Sequence, residues 1–190
     1  MKYNGIALLG QPGTGKTTVG AALAKLIGAE RLSFAAALKE DLARMLAFME
    51  GTPGDDLSSR YDEWVAYYRN QQRYPATKDA YRPLQQALGA FRRAQDEDYW
   101  VKRAMTGVNN RDFYVVDDCR YWNEYNALRN RNFAFVLLEP GPTTRRLTGA
   151  QAIHESEKDW PLFPTDGRFE YVEGPGVMAS IIATACRLVD

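Results

Sequence analysis

The residues best suited to chemistry stand at the start of the chain. Gly10-Gln11-Pro12-Gly13-Thr14-Gly15-Lys16-Thr17, with Thr18 behind it, fits G-x-x-x-x-G-K-[ST], the spacing of a phosphate-binding loop. Glycines let the backbone bend so that successive N–H groups converge on one anion. A helix opening at Lys16 adds the partial positive charge of its N-terminus. Lys16 can reach the β- and γ-phosphates of a nucleoside triphosphate, and the Thr17 hydroxyl can ligate Mg²⁺. Such a loop needs a strand before it and a helix after it. Ile6-Ala7-Leu8-Leu9 read as a short buried strand, and Val19, Ala22, Leu23, Leu26 and Ile27 recur at helical spacing. ATP with Mg²⁺ is therefore the expected ligand of residues 10–18.

Asp117 and Asp118 follow the apolar run Phe113-Tyr114-Val115-Val116. In an open parallel sheet, the C-terminal ends of the strands are where ligands bind. A carboxylate there holds Mg²⁺ directly or through water, and a second one can orient an acceptor. The residues leave open which acid does which. Arg82, Arg92, Arg93, Arg120, Arg145 and Arg146 supply cations. Phosphoryl transfer needs such groups to clamp an anionic acceptor and to neutralise the moving phosphoryl group. Thr143 to Ile153 reads as a lid that brings Arg145 and Arg146 over ATP. The single histidine, His154, opens His154-Glu155-Ser156-Glu157. Transfer to an already ionised phosphate oxygen needs no general base, so His154 reads as a loop-ordering or nucleotide-contact residue.

The elements that must position these groups follow from the rest of the chain. At 190 residues one domain is expected, with ordinary contents of 45% hydrophobic and 25% charged residues. Lys+Arg and Asp+Glu balance at 24 each, so no global basic field recruits nucleic acid. Cys119 and Cys186 form neither a disulfide framework nor a metal-ligand spacing. Met1-Lys2-Tyr3-Asn4 leads straight into the first strand, and no apolar run approaches a membrane span of about 20 residues. The expectation is a cytoplasmic protein without membrane contact.

Glu30 to Ser33 reads as a second strand ending in an N-capping serine. Phe34, Leu38, Leu42, Met45, Leu46 and Met49 share one helical face. Gly51 to Asp56 reads as a loop. Tyr61, Trp64, Val65 and Tyr68 share the face of the next helix, a stripe read as core rather than as a base-stacking platform. After a break at Tyr74-Pro75-Ala76-Thr77, a helix is expected to turn Leu84, Leu88 and Phe91 inward, and Asp96 to cap another through Tyr99, Trp100 and Met105. A helix over 123–129, a strand over 133–138, a last strand over 169–172 and a closing helix carrying Met178, Ile181, Ile182 and Ala185 complete the chain. Strands alternating with helices predict a three-layer α/β P-loop NTPase fold with a parallel sheet. The core is expected over about 1–33 and 110–190, a helical acceptor-binding region over about 34–109, and a short lid over about 141–158.

Several blocks, in order, resemble one family. Gly10 to Thr17 followed by Ser33-Phe34-Ala35-Ala36-Ala37-Leu38-Lys39 is similar to the opening of phage-type deoxynucleoside monophosphate kinases. Leu84-Gln85-Gln86-Ala87-Leu88-Gly89 with Arg92 or Arg93, then Tyr99-Trp100-Val101, resembles their Leu-Gln…Gly…Arg…Trp block. Asp118-Cys119-Arg120-Tyr121 with Asn123-Glu124 is similar to their Asp-x-Arg-Phe…Asn-Glu segment, and His154 to Glu157 to their His-x-Ser-Glu motif. The resemblance implies an adenylate-kinase-like fold and transfer of the ATP γ-phosphate to a nucleoside 5′-monophosphate. It places the metal acid on Asp118. With the reading of the residues, the metal is expected on Thr17 and Asp118, catalysis on Lys16, Asp118, Asp117, Arg120 and Arg145, and the acceptor on Lys39, Arg82, Gln85, Arg92 and Arg120. The chain departs from the family at Ala36, where members often carry an acid, and in its extra carboxylate, Asp117. An alcohol acceptor must lose a proton on attack, so an extra acid bears on relatives that phosphorylate 5-hydroxymethyluracil in phage DNA. That alternative calls for a basic groove through Arg60, Arg69, Arg73 and Lys78. A non-enzymatic nucleotide-binding switch is the third reading, and the arginines argue against it. The expected partner is a small nucleotide, with DNA only under the alternative, and a homodimer is an open expectation.

Overall fold

The computed structural model describes residues 2–50, 57–72, 77–140, 158–171 and 183. The loop over 51–56, the break over 74–76, Arg73, the lid with Arg145 and Arg146, His154 and the closing helix lie outside the described residues, as do the side chains of Arg60 and Lys78. The chain divides into two compact units, one formed by Met1–Ser33 with Met105–Asp190 and the other by Phe34–Ala104.

The first unit holds five strands: β1 (Gly5–Leu9), β2 (Glu30–Leu32), β3 (Tyr114–Val116), β4 (Phe133–Pro140) and β5 (Gly167–Tyr171). Their order is β2-β3-β1-β4-β5, and every pairing is parallel. The middle strand, β1, is a continuous apolar run, as a strand covered on both faces must be. Side chains alternate across the sheet. Ile6, Leu8, Val115, Ala134 and Val136 form one face, under Val19, Leu23 and Ala24 of α1 (Lys16–Ile27). On the other face Phe135 meets Tyr125 of α6 (Trp122–Asn130), their ring centroids 4.3 Å apart. Helices thus cover both faces, giving the expected three layers.

The second unit is helical: α2 (Phe34–Glu50), α3 (Leu57–Gln71), α4 (Lys78–Gln95) and α5 (Tyr99–Met105). Here the aromatic stripe is core. Val65 and Tyr68 bury against Ala43 and Ala47, with Tyr61, Trp64, Leu46 and Tyr81 packed around them. Fully burying a side chain such as Val65 contributes about 1.5–3 kcal/mol. The two alanines correct the expected α2 face: Met45 is 40% and Met49 70% exposed. Small residues let α3 approach closely, where methionines would hold the helices apart.

The expected α4 face also rotates. Leu84 and Phe91 are 43% and 56% exposed, while Tyr81, Gln85, Leu88 and Arg92 are the sheltered flank. Hydrogen bonds fix that choice. Gln85 Nε2 donates to Gln72 Oε1 at 3.1 Å, and Trp100 Nε1 donates to the Gly89 carbonyl at 3.2 Å. Apolar periodicity weighs bulk and is blind to such polar anchoring. No helix among the described residues is long and apolar enough to cross a membrane.

Candidate active site

The loop between β1 and α1 carries the residues expected to hold phosphate. Gly10 has φ +140°, and a Cβ on it would lie 2.5 Å from the Leu138 carbonyl oxygen. Only glycine brings the chain past β4 at that point. Gly15, at φ 73°, turns left-handed just before α1 begins at Lys16, so the helix N-terminus faces the loop. Thr14 is fully buried, and its hydroxyl donates to the Gln11 carbonyl at 2.9 Å, pinning the turn. The Lys16 ammonium folds back over the loop and donates to the Gly10 and Gln11 carbonyls at 2.5 and 2.7 Å. Thr17 and Thr18 lie exposed at the first helical turn.

Polar groups left over in this loop fit an anion. The Gln11 amide nitrogen is buried without a hydrogen-bond partner, a condition that costs about 1–3 kcal/mol. Gly13 and Gly15 turn the loop at positive φ just ahead of the helix N-terminus, an arrangement that suits an anion. These residues fit the phosphates of ATP. Among the described residues no cluster of three or more His, Cys, Asp or Glu side chains suits a metal. Magnesium does not need one, because it is commonly held by one or two carboxylates with substrate phosphates and water. Thr17 and the strand-end acids are such a donor set.

Those two acids are held differently. Asp117 continues the face of β3 that looks toward α1, and a Cβ on Gly20 would lie 3.6 Å from its Cβ. Its carboxylate pairs with Arg31 at 2.7 Å and is 9% exposed. Asp118 accepts a 2.6 Å hydrogen bond from the Ser33 hydroxyl. Ser33 stands just before α2, and this bond ties the end of β2 to the end of β3. The following turn is fixed by Glu124, only 5% exposed, whose carboxylate accepts the Arg120 and Tyr121 N–H groups at 2.7 and 3.2 Å. Glu124 thereby shapes the turn that carries Asp118 and Arg120. Sequence reasoning quoted Asn123-Glu124 as a motif without that role; an acid three residues past a strand-end turn was the available signal. Cys119 sits in the same turn. Burial, with Glu124 and Asp118 nearby, holds its thiol well above the usual range, so it is no nucleophile at neutral pH.

All the acceptor candidates but Arg120 lie on the helical unit. Arg92 places its guanidinium over the Tyr99 ring, 5.0 Å from the centroid, and its Nε is buried without a hydrogen-bond partner. Tyr99 in turn donates to Asp41 at 3.2 Å, and Arg103 pairs with Asp41 at 2.9 Å. Arg82 pairs with Asp79 at 3.2 Å within α4. Gln85 binds Gln72, which donates to the Lys39 carbonyl at 2.8 Å. Lys39, Gln72 and Gln85 are thus joined, and Gln72 is a buried connector that the sequence did not single out. Arg69 is engaged bidentately by Glu40 at 2.7 and 2.8 Å. Arg69 is one of the residues that the DNA alternative expects in a polymer-binding groove.

A parallel sheet in the order β2-β3-β1-β4-β5, with the phosphate loop leaving its central strand, decides the architecture. The fold is that of the P-loop NTPases. No family model and no curated protein sequence matches the chain. Solved structures that resemble it include a gluconokinase from Sinorhizobium meliloti 1021, 18% identical, covering 99% of this chain and 95% of its own, with a TM-score of 0.46. Another is a shikimate kinase from Acinetobacter baumannii in complex with shikimate, 14% identical, covering 98% and 93%, with a TM-score of 0.47. A dephospho-CoA kinase from Campylobacter jejuni is 11% identical, covers 98% and 96%, and has a TM-score of 0.43. With TM-scores below 0.5 these are resemblances only; the fold rests on the strand order and the loop.

Proposed function

We propose that the protein is an ATP- and Mg²⁺-dependent phosphotransferase whose acceptor is a (deoxy)nucleoside 5′-monophosphate. One observation carries the reading: a buried donor without a partner stands in each of two places. The loop holds the unpartnered Gln11 amide beside Lys16, and the helical unit holds Arg92, braced on Tyr99 with a buried unpartnered Nε. A donor triphosphate and an anionic acceptor would satisfy one each. The chain resemblance to phage-type monophosphate kinases supports the choice of acceptor.

In this reading the backbone N–H groups of residues 11–17 hold the phosphates, and Lys16 leaves its carbonyl partners to follow charge on the transferring group. Mg²⁺ held by Thr17 and Asp118 would neutralise charge between the β- and γ-phosphates. Arg92 and Arg82 would bind the acceptor phosphate from the helical unit, which also carries the acceptor candidates Lys39 and Gln85; Arg120 is the acceptor candidate of the other unit. Arg145 and Arg146 close over the donor and exclude water. The acceptor oxygen is already ionised, so no side chain has to remove a proton. Two observations weigh against the DNA-kinase alternative: Arg69 is committed to Glu40, and Asp117 to Arg31.

The test is Lys16→Ala assayed with labelled ATP against all nucleoside monophosphates and against unmodified and hydroxymethylated DNA. Label on mononucleotides, lost by at least about 10²-fold in the variant, is the expected result. Label on DNA alone, or a variant that retains most of its kcat, would sink the proposal.

A further inference from the structure

Arg31 belongs to none of the roles above, yet it touches one of the strand-end acids, Asp117. It lies in β2, opposite Val115 in the β2–β3 register. Side chains two apart share a face, so Arg31, Val115 and Asp117 all look toward α1. The guanidinium is 42% exposed, and the carboxylate it meets at 2.7 Å is 9% exposed. Asp117 also sits beside Gly20, one helical turn beyond Thr17. It is therefore a sheltered negative group beneath the second turn of the helix whose first turn bears the candidate metal hydroxyl. Left uncompensated there, it would compete for any divalent cation entering the loop. Asp118 is anchored by a neutral donor, the Ser33 hydroxyl.

We propose that Arg31 is a positioning residue that selects the metal acid: by cancelling the charge of Asp117 and holding it against β2, it sets the affinity and place of the nucleotide-bound divalent ion. The inference rests on the reading that Mg²⁺ accompanies a nucleotide in this loop. It concerns metal binding, so it is read without any phosphoryl transfer.

The experiment measures the affinity of Mn²⁺, as a magnesium substitute, for the protein complexed with adenylyl imidodiphosphate. The readout is the free-ion EPR signal at pH 8. Arg31→Met removes the charge and keeps much of the apolar stem. It should tighten Mn²⁺ by about tenfold, the size expected when one unit charge is removed near a partly screened divalent ion. Asp117→Asn should weaken it by a similar factor, since Arg31 is then unopposed. The double variant should return to within about twofold of the wild type, and Arg31→Lys should stay there as the folded control. Unchanged or weaker binding in Arg31→Met, or a double variant that fails to return, overturns the proposal. Failure of the wild type to bind the analogue at all would overturn the nucleotide reading itself, a result distinct from an unchanged metal affinity.

Discussion

Glu124 gives the sharpest test of how the site is held. Its carboxylate accepts two backbone N–H groups, Arg120 at 2.7 Å and Tyr121 at 3.2 Å, from a position only 5% exposed. Hydrogen bonds to a charged acceptor contribute about 1.5–3 kcal/mol each. The Tyr121 bond is long and its turn is half-buried, so water partly replaces the lost acceptor in Glu124→Ala. The expected loss is about 2–4 kcal/mol. With a urea m-value of about 2 kcal/mol/M, the unfolding midpoint should fall by about 1–2 M. Glu124→Gln keeps one acceptor oxygen and should lose about 1 kcal/mol. Because Asp118 and Arg120 ride on this turn, Glu124→Ala should also lower transfer by about 10²-fold, as an ångström of misplacement does. Urea unfolding and single-turnover transfer measure the two effects in one preparation. An alanine variant with a wild-type urea midpoint and a kcat within about twofold would refute the reasoning.

Two further outcomes follow from titratable groups away from the loop. The Arg69 hydrogen bond, opposed by some burial and aided by Arg44, holds the Glu40 carboxyl below its usual value of 4.5. A depressed folded-state pKa contributes stability above the unfolded value and loses it as pH falls through the folded one; Glu40→Gln should therefore destabilise at pH 7 and converge with the wild type in urea midpoint below pH 4.5. Burial holds the Cys119 thiol in its protonated form, so in a Cys186→Ser background a disulfide reagent at pH 8 should react slowly with native protein and rapidly in urea; equal rates would contradict a closed turn.

The architecture was legible where one periodicity dominates. The run Ile6 to Leu9 announces a strand covered on both faces, and the glycine spacing after it announces the turn. The Asp118–Arg120 segment was legible too, because a strand-end acid has few other places to be. Sequence reasoning failed where small or polar residues set the packing. Ala43 and Ala47 admit α3, so Met45 and Met49 turn outward. Gln72, 2% exposed, is tied to the Lys39 carbonyl and to Gln85 by bonds that span 33 and 13 residues of sequence. The Arg31–Asp117 pair spans 86. No window of a single helix or strand contains both halves of such a contact.

The misread face of α4 also says something about the helical unit. A helix that only needed burial would turn Leu84 and Phe91 inward along with Leu88, because both are more apolar than Gln85 and Arg92. Instead it shelters Gln85, bound to a buried glutamine, and Arg92, with one nitrogen buried and unpartnered. Sheltering such groups costs free energy unless hydrogen bonds offset it. Gln72 supplies that offset for Gln85, and Tyr99 supplies only a ring face for Arg92. The remaining deficit is what an anionic acceptor would remove. Proteins tend to break local packing rules at functional sites. This helix breaks one at Arg92, one of the two arginines that the resembling block offers, which is a separate reason to test Arg92 for acceptor binding.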